Sequence, residues 1–108
     1  RIVRHEVLTP AACDAMLTVM KRVQCPFAAR YLPGGAQYDR PPEGPVIAAK
    51  FGMITGCRHE VGAIWKGDRG FVYCVMTKDC QDERPVEDNE GLLAVGRAVK
   101  ILYDCFVA

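Results

Sequence analysis

The pattern that most constrains the fold is a pair of strand-length apolar runs separated by a short charged turn. The runs lie at residues 61–65 and 71–76, and the turn between them reads Lys-Gly-Asp-Arg-Gly. Apolar runs of this length around a glycine-containing turn predict a β-hairpin. Both alternating sets of positions in the second strand, predicted over residues 71–77, are apolar. We therefore expect that strand to be covered on both faces.

A third strand is predicted over residues 46–50, ending in Gly52. The preceding segment, residues 26–45, holds five of the seven prolines, so we predict a long loop there, with a short turn around residues 28–32. A loop of this length inside a compact domain is expected to border a site or to wrap a neighbouring surface. Residues 78–86 are predicted to form a second, polar loop.

Helical patterns lie at both ends of the chain. Thr9 and Pro10 are typical of a helix start, with Thr9 as the N-cap and Pro10 at the first helical position. From residue 11 to about residue 23, apolar residues recur at helical spacing. That stripe consists of Ala12, Ala15 or Met16, Val19 or Met20, and Val23. A second helix is predicted over residues 87–106, with acidic residues in its first turn. Its apolar stripe consists of Leu92, Val95, Val99, Leu102 and Phe106.

The order of helix, three-stranded meander and helix predicts an α+β fold with an antiparallel sheet and both helices packed on it. A length of 108 residues allows one domain or part of one, over residues 1–108. The chain starts with Arg1 and not with Met, which indicates a trimmed chain, a processed product or a fragment.

Composition excludes several classes of protein. Lys and Arg number 14 against 13 Asp and Glu, so the net charge is +1, and apolar residues make up 50% of the chain. This balance excludes a disordered tail and a strongly basic nucleic-acid binder, so no nucleic-acid partner is expected. No apolar run approaches the roughly 18–20 residues of a transmembrane helix, so no membrane span is expected.

The chain has six cysteines without a C-x-x-C pair. Their density is below that of a disulfide-stapled mini-protein, so buried or free thiols are the favoured interpretation. One or more disulfides, and a metal site, remain as less favoured alternatives. We predict no cofactor and no metal. Thiol usage mildly favours a reducing compartment.

The segment around Lys50 carries the strongest chemical pattern. A glycine two positions after this lysine, Gly52, would let the backbone pass close to a ligand. Lys50 would bind a carboxylate, and the N–H of Met53 would donate to an oxyanion. The next predicted strand opens with Arg58 and His59, so we expect Lys50 and one of these two residues to face one anionic ligand. The alternative is a lysine at a strand end followed by a polar connection.

This segment, KFGMITGCRHEVGAIW, resembles the K-T-G-x-x-x-G-x-R-x-D-x-G pattern of class A β-lactamases and penicillin-binding proteins. EVLTPAACDAMLTVMKR and NEGLLAVGRAVKILYDCF are similar to the helix before that box and to the C-terminal helix of the family. The resemblance covers nearly the whole chain but only the C-terminal part of the family's domain. It implies that Lys50 and Gly52 are the box residues, that Met53 is the oxyanion donor, and that Arg58 is a second carboxylate contact.

Two departures from the family pattern bear on activity. The chain has no serine, so the S-x-x-K nucleophile and the S-D-N motif are absent. Phe51 stands where the family has Thr or Ser, which removes a hydroxyl that would bind the substrate carboxylate.

Two hypotheses for function follow. In the first, the chain is the C-terminal portion of a class A-like serine hydrolase that binds a β-lactam or peptidoglycan-like small molecule. It is inactive alone and completed by a missing N-terminal part. In the second, it is a non-catalytic module that pairs with a partner or a second copy through the exposed edge of the 71–77 strand. The resemblance implies a periplasmic or secreted location.

Weaker candidates lie elsewhere. Cys57 and His59, two positions apart on a strand, would share a face, and a Cys–His nucleophile is a further hypothesis. His5 is interpreted as an isolated surface histidine. The aromatic residues of the strands are predicted to pack in the core; they are Trp65, Phe71 and Tyr73.

Overall fold

Two helices flank a three-stranded antiparallel meander. The structure is a computed structural model that describes residues 1–24, 26–34 and 44–108. Its elements are α1 (Pro10–Lys21), β1 (Val46–Ile54), β2 (Cys57–Lys66), β3 (Arg69–Met76) and α2 (Glu90–Phe106), with short 3₁₀ helices at Ile2–Arg4 and Phe27–Tyr31. The strand order β1-β2-β3 and the helix at each end confirm the predicted α+β fold. Cys25 and most of the predicted 26–45 loop, at residues 35–43, lie outside the described residues.

The first two strands extend beyond their predicted ends. β1 continues through Gly52 to Ile54, and the ladder pairs Gly52 with His59. A two-residue turn reverses the chain, and its second residue, Gly56, adopts a φ of 71° that favours glycine. Reading Gly52 as a strand end was wrong, because an edge strand tolerates a glycine whose backbone still pairs. Lys50 therefore lies in the middle of β1 and not at its end.

The predicted hairpin between β2 and β3 is confirmed. Lys66 pairs with Arg69 across a two-residue turn. Gly67, the first residue of that turn, has a φ of 61°. A glycine with a positive φ at this position gives a turn whose twist matches the right-handed twist of the flanking strands.

The main core lies between one face of the sheet and α2. Alternate residues of the strands point to this face, as the period of two requires. The buried cluster also includes two alanines of the second 3₁₀ helix; its members are Ala28, Ala29, Leu32, Ile47, Ala49, Ile64, Tyr73, Val99, Tyr103 and Val107. Tyr73 and the half-buried Phe71 confirm the predicted aromatic packing on this face. Trp65 is half-buried on the other face, with the Lys21 ammonium 5.4 Å from its ring centroid.

The other face of the sheet is covered only in part. α1 packs along β1. On this face, Ala48 of β1 and Ala63 of β2 are buried. Farther across the sheet, Val72 and Met76 of β3 are 72% and 70% exposed. The expectation that β3 is covered on both faces was wrong, because α1 packs on β1, and the N-terminal segment that lines a cavity beside Val72 leaves this residue and Met76 exposed.

Both helices differ in detail from the sequence prediction. The Thr9 Oγ1 accepts the N–H of Ala12, which confirms the N-cap, but α1 ends at Lys21. Its buried side is centred on Cys13, while Met16 and Val19 are exposed, because nearly every side of this helix is apolar and several stripes fit the spacing. The second helix begins at Glu90, not at residue 87.

A polar cap explains the later start of α2. The Asn89 side chain accepts the N–H groups of Gly91 and Leu92, so this residue is the N-cap.

At the other end of the predicted apolar stripe of α2, Phe106 is 55% exposed. In the described part of the chain, no helix is long and apolar enough to cross a bilayer.

Candidate functional site

Lys50 places its ammonium at the free edge of β1. β1 pairs with β2 on one side only within the described residues. The Nζ of Lys50 donates to the carbonyl oxygen of Phe51 and lies 5.1 Å from the centroid of the Phe51 ring. The carbonyl group of Phe51 therefore faces away from β2. A cation is thus held at a strand edge that no strand of the described residues covers.

The backbone N–H of Met53 points out from the same edge. Its ladder partner is Arg58, whose own N–H and carbonyl oxygen each bond the Thr77 hydroxyl at 2.8 Å on the β3 side. In an antiparallel sheet, the N–H and carbonyl group of one residue point to the same neighbouring strand. Since those of Arg58 point toward β3, they do not bond β1, and Met53 and Arg58 form a non-bonded pair of the β1–β2 ladder. The N–H of Met53 then points away from β2, as the carbonyl group of Phe51 does two residues earlier. A backbone donor that points out from a strand edge in this way can stabilise a developing negative charge.

Gly52 leaves the edge open between these two groups. A Cβ built at this glycine meets no atom within 4 Å, whereas a Cβ at Gly62 in β2 would lie 2.6 Å from the Ala48 carbonyl oxygen. Packing therefore requires a glycine at 62 but not at 52. We define the β1 edge as Lys50, Gly52 and the N–H of Met53.

Arg58 is not part of the β1 edge. It is only 5% exposed and lies on the α2 side of the sheet, the face opposite to Lys50. Its Nη1 donates to the carbonyl oxygens of Ile54 at 2.9 Å and Cys57 at 2.8 Å. The structure thus brings together three of the four predicted site residues and turns the guanidinium of the fourth toward the β1–β2 turn.

His59 does share a face with Lys50, on the side of the sheet away from α2. Its Nδ1 accepts the N–H of Thr77 at 3.1 Å. Cys57 lies on the same face, as predicted, but no hydrogen bond joins it to His59 in the described part of the chain. His5, interpreted above as isolated, instead lies 2.7 Å from Asp14.

The side chain of Phe51 points into the α2 side. Its ring centroid lies 4.9 Å from that of Phe27. Both rings line a cavity of about 260 Å³ whose walls are mainly apolar and include Met53, Leu92 and Leu93. The phenyl ring thus packs between Phe27 and the Lys50 ammonium, and it offers no hydroxyl to a ligand.

Sequence reasoning missed the structural importance of Glu60. This carboxylate is 1% exposed and accepts the N–H groups of Phe27 at 2.6 Å and Ala28 at 3.0 Å. It also accepts the hydroxyl of Tyr73 at 2.7 Å. Glu60 therefore attaches the second 3₁₀ helix to the sheet behind the β1 edge. The only sequence signal was an acidic residue inside an apolar strand.

The segment below the β1–β2 turn is braced by a second carboxylate. Asp82 accepts hydrogen bonds from the Arg84 side chain and from the N–H of Glu90, and these hold the pKa of Asp82 well below its usual value. Arg84 in turn has its pKa raised, first by that hydrogen bond. This pair ties the loop to the start of α2.

The described residues offer no ready metal centre. Across residues 1–24, 26–34 and 44–108, no three His, Cys, Asp or Glu side chains are grouped so that they could hold a metal ion. The five described cysteines are free thiols; they are Cys13, Cys57, Cys74, Cys80 and Cys105. The groups at the β1 edge can bind and polarise an anionic ligand, but they include no nucleophile.

The chain is similar to known proteins in sequence and in fold. A family model for the beta-lactamase enzyme family matches residues 1–106. A beta-lactamase from Sphaerobacter thermophilus DSM 20745 superposes with a TM-score of 0.78 at 24% identity. A mutant of PBP-A, solved as an acyl-enzyme complex with penicillin G, superposes with a TM-score of 0.70 at 23% identity. No curated protein matches the sequence.

These two structures are similar in fold and differ greatly in length. Each match covers 96% of this chain but only 35% of the other chain. At such identities the likeness establishes the fold alone.

Proposed function

Because this chain belongs to the beta-lactamase enzyme family, we propose that it supplies the substrate-binding K-x-G strand of a β-lactam-recognising serine hydrolase. In this role Lys50 binds the carboxylate of the β-lactam. The N–H of Met53 donates to the lactam carbonyl oxygen, which gains negative charge when a nucleophile attacks. The observation that carries the proposal is the β1 edge itself: an ammonium, an open backbone at Gly52 and an outward N–H along one strand edge.

The chain is proposed to be inactive by itself. It contains no serine, so the serine that attacks the lactam carbon must come from outside these 108 residues. The solved relatives are longer, since this chain spans 35% of each, which leaves room in such proteins for the nucleophile. Binding at the β1 edge and bond cleavage are therefore separate properties, and each needs its own test.

The binding role is tested by titrating the 108-residue chain with benzylpenicillin and following backbone amide and lysine side-chain signals by NMR. We expect the signals of Lys50 and Met53 to shift together and those of Lys66, an exposed lysine at the far end of β2, to stay in place. Lys50→Ala should abolish the response, and Lys66→Ala should not. An unchanged response in the Lys50 variant would reject the proposal.

A second variant separates binding from folding. Gly52→Val adds a β-branched side chain that strands accommodate well, and its Cβ meets no atom within 4 Å. The variant should keep the thermal midpoint of the parent chain and lose the benzylpenicillin response, because the new side chain covers the β1 edge. If binding persists, the ligand does not lie along Gly52.

Inactivity is tested with a chromogenic cephalosporin and by intact mass spectrometry after incubation with penicillin. The pure chain should give neither turnover nor an adduct. Turnover by the chain alone would refute the need for an external serine. A second polypeptide that gains one penicillin mass would identify the source of the nucleophile.

A non-catalytic pairing module is the second candidate, and one observation favours it. In the described residues β3 has no strand on its outer side, and its exposed face presents Val72 and Met76. Such an edge invites strand addition. If it pairs with a second copy, light scattering should give a dimer that Val72→Lys disrupts. Ile101→Lys, at an equally exposed apolar position on α2, is the control. A monomer at all concentrations would remove this candidate.

A further inference from the structure

We infer that Arg58 and Glu83 form a clamp on the β1–β2 turn that positions the N–H of Met53 for its ligand. Arg58 is then a positioning residue and not the second carboxylate contact that the resemblance suggests. This inference rests on the proposed function, because it gives a purpose to the orientation of the Met53 N–H.

The side chain of Arg58 holds both sides of the turn at once. One nitrogen, Nη1, bonds the carbonyl oxygens of Ile54 and Cys57, the residues that flank the turn, at 2.9 and 2.8 Å. The other, Nη2, lies 3.6 Å from the Glu83 carboxylate. The side chain is 6% exposed, so these partners compensate its buried charge. A planar guanidinium presents its donors in a rigid fork, whereas a lysine offers a single ammonium on a flexible stem.

Glu83 binds the turn from the opposite direction. Its Oε1 accepts the N–H of Gly56 at 2.6 Å, while the N–H of Cys80 donates to the Gly56 carbonyl oxygen at 2.9 Å. Residues 80–83 thus hold the glycine of the turn through both of its backbone groups. Together with Arg58, they fix four polar backbone atoms within one short segment.

The clamp acts on the residues that directly follow the proposed oxyanion donor in the chain. Met53 precedes Ile54, whose carbonyl group the clamp holds, and it pairs in the ladder with Arg58 itself. The backbone of Arg58 is in turn fixed on the β3 side by the Thr77 hydroxyl. The position of Met53 is therefore set through its chain neighbour Ile54, beside a ladder partner whose own backbone is fixed.

The two hairpin turns of the sheet differ in type and in support. Both have two residues and one positive-φ glycine, but Gly56 is the second residue of its turn and Gly67 is the first residue of its turn. In the described structure, the side-chain contact of the β2–β3 turn is a single 3.4 Å bond from Arg69 to Ala108. A glycine at the first position gives a turn that matches the strand twist by itself, whereas a glycine at the second position gives one that tends to splay the strands. The additional contacts at Gly56 therefore hold the end of β1 in position.

The test compares two reporters in one titration of the 108-residue chain with benzylpenicillin. In the chain with Arg58→Met or Glu83→Gln, the Met53 amide shift at saturation should fall at least about twofold, because the donor is no longer oriented. The Lys50 response and its dissociation constant should stay near the parent values. Arg58→Lys should not restore the Met53 response. Arg84→Met, which removes a guanidinium of the same segment that does not contact the turn, should leave both reporters unchanged.

The outcomes distinguish this inference from the proposed function. A full Met53 response in both the Arg58→Met and Glu83→Gln chains would overturn the clamp and leave the β1 edge intact. No response from Lys50 or Met53 in the parent chain would reject the proposed function and the clamp with it. If Arg58→Met does not fold, Glu83→Gln decides, because Glu83 is 47% exposed and tolerates replacement.

Discussion

The two turned ends of the sheet have turns of the same length and different surroundings. The β1–β2 end is held by Arg58, Glu83 and the Cys80 amide. At the β2–β3 end, a Cβ built on Gly67 would meet nothing within 4 Å. The comparison teaches that local turn chemistry suffices to form a hairpin, whereas long-range polar contacts fix where its end lies. The held end is also the one that carries the proposed ligand-binding edge.

The largest expected effect lies behind the held end, at Glu60. Replacement by Ala leaves two buried N–H groups and the Tyr73 hydroxyl without their shared acceptor, so we expect a loss of about 4 kcal/mol in the free energy of unfolding. Urea denaturation measures it. Glu60→Gln should cost about half as much, since an amide oxygen still accepts. A loss of stability smaller than that of an ordinary surface variant would show that Glu60 does not stabilise the attachment of the second 3₁₀ helix to the sheet.

The next effect contrasts two arginines, one at each end of the sheet. Arg58→Met should cost about 2 kcal/mol, because two carbonyl oxygens lose a charged donor. Arg69→Met should cost under about 0.5 kcal/mol, because its single bond is long and exposed. Chemical denaturation of both variants gives the difference directly. Equal losses would erase the distinction between the two ends.

Alanine at the two turn glycines should show where the ends are alike. Gly56 and Gly67 both have a positive φ, so each substitution should cost about 1 kcal/mol from backbone strain. A Cβ at Gly56 meets atoms no closer than 3.9 Å, so no steric penalty separates the two variants. Thermal unfolding compares them. A clearly larger loss at Gly56 would mean that the clamp and the turn conformation are coupled.

The smallest effect concerns pH and the Asp82–Arg84 pair below the held end. The lowered pKa of Asp82 means that its stabilising contribution is present above about pH 4, the unfolded value, and is lost as the pH falls toward the folded value. Asp82→Asn should lower stability at neutral pH and reduce this acid dependence. Because Arg84 is 58% exposed, we expect less than for Arg58. Unfolding curves of the parent chain and of Asp82→Asn at pH 7 and below pH 4 measure the difference in stability. The same difference at both pH values would contradict this prediction.

Local patterns predicted the elements well and their limits poorly. The Thr9 cap and the turn at Gly67 involve contacts between near neighbours in sequence, so the residues that specify them are adjacent. The cover of β3 depends on where α1 packs, which no local pattern records. The same holds for Glu60, whose partners at residues 27 and 28 lie more than thirty positions away.

The candidate site divides in the same way. The family resemblance placed Lys50, Gly52 and Met53 together, and they are neighbours in the chain. The resemblance also implied Arg58 as a second carboxylate contact, while the strand-end argument left Arg58 and His59 open. Counting back in steps of two from the buried Ile64 places Arg58 on the α2 side.

The empty space around Gly52 has a consequence for sequence change. Folding places no steric demand on this position, so a mutant library selected only for folded protein should accept most side chains there. A library selected for retention of a β-lactam should return glycine. Residue 52 would then vary freely in a descendant that had lost its ligand and stay glycine in one that had kept it. The identity of this residue alone would therefore indicate whether a descendant still binds the ligand.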